Sequence, residues 1–182
     1  REVADNLGVI LGSTMGSIKS ISDFDLESLR EGPHFVNPAL FPNTVVNSPA
    51  SQISVRFGAK RLNATVSTGY SASLDAIGYA SDLIQLGRSE MLLAGGVEEL
   101  CLQIFLGLYK IGILSGSKDN RPELSCPFDK RRNGIVLGEG AALFLLETLD
   151  HARKRGVKPY AEITGYGSAF DPARRNGYSP KA

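Results

Sequence analysis

Tryptophan is absent from the 182-residue sequence, and cysteine, methionine and histidine occur twice each. Cys101 and Cys126 form no CxxC pair, and His34 and His151 stand far apart. A protein metal centre needs convergent ligands at short spacing, so no metal and no cofactor are expected. So few thiols fit a reducing compartment, and a cytoplasmic location is the expectation. An excess of one charge is missing too: Lys+Arg 20 against Asp+Glu 19 leaves +1. That excludes the broad basic field by which proteins hold nucleic acid. No apolar run approaches the ~18 residues of a membrane-spanning helix. The opening residues Arg1 to Asn6 are polar, so no secretory leader is read there and no membrane partner is expected.

What is present is a hydrophobic share of 42% with 21% charged residues, enough to build a packed core. Gly8 to Leu11 reads as a short buried strand, and Gly12-Ser13-Thr14-Met15-Gly16 as a turn into a helix over 17–29. Gly32-Pro33, Asn37-Pro38 and Phe41-Pro42 mark a loop. Asn43 caps a second helix reaching Phe57. Leu62 to Ser67 is a β-branched strand. Gly69 turns it into a helix in which Ala72, Ala76, Ile77, Ala80, Leu83 and Ile84 recur at helical spacing. That helix carries only Asp75 and Asp82 as charges and is expected to be central and buried. Met91 to Ala94 is a third strand, ended by Gly95-Gly96. A helix over 100–110, a polar loop over 117–133, a strand over 141–146, a helix over 147–155 and a last strand over 160–169 follow. Strands alternating with helices predict an α/β fold with a mostly parallel sheet covered by helices on both faces.

Chemistry is best sought at the strand–turn–helix run Thr65-Val66-Ser67-Thr68-Gly69-Tyr70-Ser71-Ala72-Ser73. A residue at such an elbow sits where backbone N–H groups and the helix dipole favour an anion. Read locally, Gly69-Tyr70-Ser71-Ala72-Ser73 approximates the hydrolase pattern G-x-S-x-G, with Ser71 as nucleophile and His151 as its base. His151 lies within the charged run Asp150-His151-Ala152-Arg153-Lys154, where a solvated histidine is the simpler reading.

A second reading spans the chain. Gly8-Val9-Ile10-Leu11-Gly12-Ser13, the segment from Gly32-Pro33 to Phe41-Pro42 with Asn47 and Gln52-Ile53-Ser54, and Leu93-Ala94-Gly95-Gly96-Val97-Glu98 follow one another in order. The run Pro127-Phe128-Asp129-Lys130-Arg131-Arg132-Asn133-Gly134-Ile135-Val136-Leu137-Gly138-Glu139-Gly140-Ala141 completes the set. Together they resemble the β-ketoacyl synthase family, the thiolase-like condensing enzymes of fatty-acid and polyketide synthesis. The resemblance implies a thiolase-like fold, with an acyl carrier protein as partner and a synthase subunit as homo- or heterodimer mate. It also implies that residues 1–182 are part of an N-terminal half, without the family's first strand or its C-terminal half. That second half supplies two histidines and a lysine in active members.

The resemblance sharpens the elbow. Active members carry a cysteine after Thr-Ala or Thr-Gly, and here Tyr70 follows Thr68-Gly69. A thiol ionises near ~8.5 and lower at a helix N-terminus, whereas a phenol ionises near ~10 and is a poorer acyl carrier. Acylation of Tyr70 is therefore not expected. Thr68-Gly69-Tyr70 with Leu74-Asp75-Ala76 resembles the chain-length-factor subunits, which replace the cysteine, usually by Gln. An active synthase with an unusual site is the alternative. Carrier-docking basic residues after Gly32-Pro33 are replaced by His34-Phe35, and Gly112-Ile113-Leu114-Ser115 lacks the arginine some members have. The resemblance further implies that the strand with Leu62, Ala64 and Val66 pairs across a dimer two-fold, and that Ile18, Ile21, Phe24, Phe105 and Leu108 border an acyl tunnel. Ordinary core packing explains the same apolar residues. Cys101 reads as a core thiol. Lys130-Arg131-Arg132 offers a contact for a carrier-protein phosphopantetheine or an acidic partner, and the simpler reading is a partly solvated loop salt-bridged nearby.

Overall fold

Leu7–Gly12 forms β1, buried along its whole length. The computed structural model describes residues 2–117 and 122–170. Residues 118–121 of the expected polar loop, and 1 and 171–182 of the expected domain, lie outside them. Strand β2 (Asn63–Val66) and strand β3 (Met91–Glu98) flank β1, both parallel to it, and β4 (Gly140–Glu147) adds antiparallel to β3. The helices are α1 (Glu2–Asn6), α2 (Ile18–Glu31), α3 (Ser48–Phe57), α4 (Ala72–Gln85), α5 (Leu102–Ile111) and α6 (Leu149–Lys154). The alternation of β1 divides the core. Val9 and Leu11 pack with Ala50 and Ile53 of α3, while Ile10 packs with Ala76 and Ala80 of α4. Helices thus cover both faces of a mixed sheet, the α/β layering that the alternation of elements predicts. Val9, Ile10, Leu11 and Leu92 are almost wholly buried, each worth ~1.5–3 kcal/mol of transfer free energy. A third cluster joins Cys101, Ile104 and Leu108 of the α5 region to Leu114, Met15 and Ile18, so Cys101 is a core thiol.

Several boundaries differ from the sequence reading. Residues 2–6 coil into α1. The helix expected from Asn43 begins at Ser48, with a proline in its first turn, and a 3-10 turn over Pro38–Asn43 precedes it. Gly95-Gly96 does not end β3. The strand runs on because β4 offers a ladder partner as far as Glu98↔Gly140. The strand expected over 160–169 does not form: the segment pairs with no strand, and Tyr166 lies on α4 instead. Helix α4 packs Ala76 and Ala80 on the sheet and buries Asp75 and Gly78 beside Tyr166, leaving Leu74 and Tyr79 exposed. Among the described residues no helix is long and apolar enough to cross a membrane.

Candidate functional site

The C-terminal ends of β1, β2 and β3 converge on the first turn of α4. Two glycines allow that approach. A Cβ on Gly96 would fall 2.5 Å from Cβ of Ser73, and one on Gly12 would overlap the Ala72 carbonyl. No side chain larger than hydrogen fits at either position, so α4 rests directly on the strand ends. The elbow then turns through Gly69 at φ 92°, a conformation that favours glycine. Tyr70 follows with 61% of its surface exposed, on the rim of an open groove of about 550 Å³. The groove is lined by Gly12, Ser13, Thr14, Tyr70, Ser73, Leu74, Gly96 and Glu98, with Phe144 from β4.

Hydrogen bonds lace the walls together. Thr14 Oγ1 donates to the Gly69 carbonyl at 3.1 Å, and Ser67 Oγ to the Thr14 carbonyl at 3.4 Å. Glu98 accepts from the backbone N–H of Thr14 at 2.7 Å and of Met15 at 3.2 Å, and from Ser13 Oγ at 3.4 Å. The glycine-rich turn therefore aims its N–H groups at an internal carboxylate and not outward at a phosphate. Asp75, buried in the first turn of α4, accepts from Thr68 Oγ1, from Ser71 Oγ at 3.0 Å and from the Tyr166 hydroxyl. These donors hold its carboxyl below the usual carboxylate range, Thr68 most strongly, then Tyr166, with burial opposing them and Ser71 and Ser168 adding to them. In the sequence Asp75 stands out as a charge on α4 and as part of the Leu74-Asp75-Ala76 motif, with no partner assigned to it. The Ser71–Asp75 spacing of four could have marked the pair, since such residues meet on one helix face.

Tyr70 and Glu98 are the titratable side chains lining the groove, and Glu98 is already occupied. Neither histidine lines it. His151 Nδ1 lies 2.5 Å from Glu147, beside Arg155, whose guanidinium holds the Glu147 carboxyl below its ordinary range, with His151 adding to this against the opposing effect of burial. Glu147 pairs with Met91 at the start of β3, whereas the elbow lies beside Gly96 near its end. At ~3.3 Å per strand residue this separates the two sites by about 17 Å. His151 is therefore no base for Ser71, whose hydroxyl instead serves Asp75. The hydrolase reading is overturned.

The tunnel candidates divide. Ile18 and Leu108 meet in the α2–α5 cluster, and Phe105, stacked on Tyr109 at 6.3 Å, lines a second, smaller cavity with Leu114 and Leu137. Phe24 packs edge-on against Phe41 at 6.0 Å, and Ile21 is exposed on α2. Ala64 and Val66 turn their side chains toward the α4 core. The Leu62 carbonyl accepts from Val9 N–H at 2.7 Å. What this strand offers outward is its backbone edge, which has no partner among the described residues. In the basic run, Arg131 is held bidentately by Asp129 at 3.0 and 3.1 Å, and Arg132 donates to the Asp129 carbonyl, so the loop is braced internally as read.

The geometry makes one chemical expectation about the elbow testable. A Tyr70→Cys thiol would sit at the N-terminus of α4 in an open groove. Its pKa is expected below the ordinary ~8.5, giving alkylation by iodoacetamide at pH ~7 several-fold faster than a model cysteine peptide. A pH–rate profile checks it; a midpoint at or above that of the peptide would show that the elbow does not activate a nucleophile.

Comparison with known proteins places this geometry. The sequence profile of the β-ketoacyl synthase N-terminal domain matches residues 1–152. The 3-oxoacyl-[acyl-carrier-protein] synthase 2 of Rhizobium meliloti is 39% identical over 166 residues, covering 90% of this chain and 39% of that protein. A putative polyketide β-ketoacyl synthase 1 of Streptomyces halstedii is 37% identical over 92% of this chain and 42% of its own length. A solved type II polyketide acyl-carrier protein in complex with its ketosynthase superposes with TM-score 0.74 at 27% identity, over 85% of this chain and 40% of that one. The ishigamide ketosynthase/chain length factor superposes with TM-score 0.62 at 28% identity, over 80% and 37%. The chain spans about two fifths of the length of these curated relatives. Ordered motifs, a mixed sheet with an elbow over glycines, and the profile match coincide, and the chain belongs to the β-ketoacyl synthase family.

Proposed function

We propose that this chain serves carrier-protein-dependent chain elongation in fatty-acid or polyketide synthesis as a subunit that is not itself acylated, of the chain-length-factor type. The observation that carries the reading is Tyr70 at the elbow, in a groove that no histidine, lysine or cysteine lines among the described residues. A phenol there is bulky, and no neighbouring base is placed to deprotonate it. The partner is a synthase subunit that carries the acyl group. A relative described as a ketosynthase/chain length factor supports the pairing, and one described in complex with an acyl-carrier protein supports the carrier.

We further propose that residues 1–182 furnish only the N-terminal half of the working fold. Strand β4 supports this. Leu143, Phe144 and Leu145 are exposed on both of its faces, and its outer edge has no partner among the described residues. Phe128 stands fully exposed at a left-handed φ of 67°, a strained backbone for an aromatic residue. Both features fit surfaces covered by the rest of the protein. The free edge of β2 fits the dimer contact.

Intact-mass spectrometry tests the function. The full-length protein, co-purified with its synthase partner, is incubated with acyl- and malonyl-carrier protein. The expected result is acyl mass on the partner alone, with this chain unmodified in a stable heterodimer. Acyl mass on this chain would make it an active synthase in its own right.

A further inference from the structure

We propose that Tyr166 is a positioning residue for the elbow, acting through Asp75 from a segment 91 positions away in sequence. The inference goes beyond the functional reading and holds whatever Tyr70 does.

The seat for this residue is built into α4. A Cβ on Gly78 would fall 2.5 and 2.6 Å from Cδ2 and Cδ1 of Tyr166, so only glycine leaves room for the ring. Gly78 lies one helical turn beyond Asp75 on the same face, and the seated ring carries its hydroxyl to Asp75 Oδ1. The other carboxylate oxygen, Oδ2, takes Thr68 Oγ1 and Ser71 Oγ. Thr68 and Ser71 bracket Gly69-Tyr70. One buried carboxylate therefore divides its two oxygens between the elbow and a remote segment.

That division has a mechanical consequence. A carboxylate with one oxygen buried and unpartnered is unfavourable, so it turns to regain a donor. With Tyr166 in place, Oδ1 is satisfied and Oδ2 stays aimed at Thr68 and Ser71. Without the hydroxyl, Ser168 is the donor left on that segment, and rotation of the carboxylate to regain the lost bond gives up one of the elbow bonds. The segment 160–169 pairs with no strand, so the Tyr166 ring and hydroxyl, with Ser168 beside them at Asp75, hold it on α4. Docking of that segment and the set of the elbow are thereby one equilibrium.

Hydrogen exchange read by mass spectrometry on the full-length protein tests this. Tyr166→Phe keeps the ring in the Gly78 notch and removes only the hydroxyl. The expected result is exchange about fivefold to tenfold faster in peptides covering 67–73, with β1 and β3 peptides unchanged. In an Asp75→Asn background, Tyr166→Phe is expected to add little. A merely packing role predicts no change in Tyr166→Phe. Unchanged exchange at 67–73, or an equal rise across the whole chain, would overturn the assignment. Gly78→Ala provides an independent route, evicting the ring while leaving both polar partners intact; if it is folded, the same local rise is required.

Discussion

Gly12→Val is expected to lose about 3 kcal/mol or more of stability, enough to unfold a marginal domain. The reason is the absence of any give at the site. The nearest atoms to a Cβ there are the backbone of Ala72 and Ser73, not the far end of a flexible side chain. Relief requires α4 to lift from β1 and β3. Such a shift opens the cluster of Ile10, Ala76, Ala80, Leu92 and Ala94 and adds a cavity term to the clash. Urea denaturation followed by circular dichroism checks it. A variant within ~1 kcal/mol of wild type would mean that α4 does not rest on the strand ends as described. Gly138→Val, where a Cβ meets nothing within 4 Å, is the control and should be near neutral.

Removing the charge on Asp75 is the second large effect. Hydrogen bonds to a charged acceptor are worth ~1.5–3 kcal/mol each. Thr68 and Ser71 are exposed and regain water when released, so Asp75→Asn is expected to cost about 2 kcal/mol near neutral pH. The pH dependence carries the signature. The Asp75 carboxyl is held below its ordinary value in the folded state, so its contribution is present above the unfolded pKa of ~3.9. It is lost as pH falls through the lower folded value. Glu147, lowered chiefly by Arg155, titrates in the same acid window in both proteins and cancels in the difference. The melting temperatures of wild type and Asp75→Asn should therefore draw together progressively as pH falls below about 5. A gap that stays constant over that range would remove Asp75 from the set of ionised, hydrogen-bonded carboxylates.

Much of the fold was legible because β1, β2 and the sheet face of α4 carry short-range patterns. An apolar run bounded by glycine marks β1, β-branched residues mark β2, and Ala76 and Ala80 repeat at one helical turn. What was not legible depends on distant partners. Gly95-Gly96 reads as a break locally, yet Gly95 pairs with Leu143 and the ladder continues. Residues 160–169 have the composition of a strand, but no ladder reaches them. At the site, Tyr70 and the elbow were readable from residue order alone. The Asp75 hub was half readable: Ser71 is four residues away, but Tyr166 arrives only through the tertiary fold. His151 illustrates the converse. Residue type made it a candidate base, and the register of β4 on β3 places it at the wrong end of the sheet.

Glu98 carries a consequence for how the groove meets its ligand. Glycine-rich turns that wait for an anion are often loose until it arrives, and ordering them subtracts from affinity. Here the carboxylate bonded to Thr14 and Met15 is part of the same polypeptide and is always present. The turn is set before any ligand enters, so this wall of the groove adds little ordering entropy to association, and free phosphate or sulfate in the medium finds no vacancy to compete for.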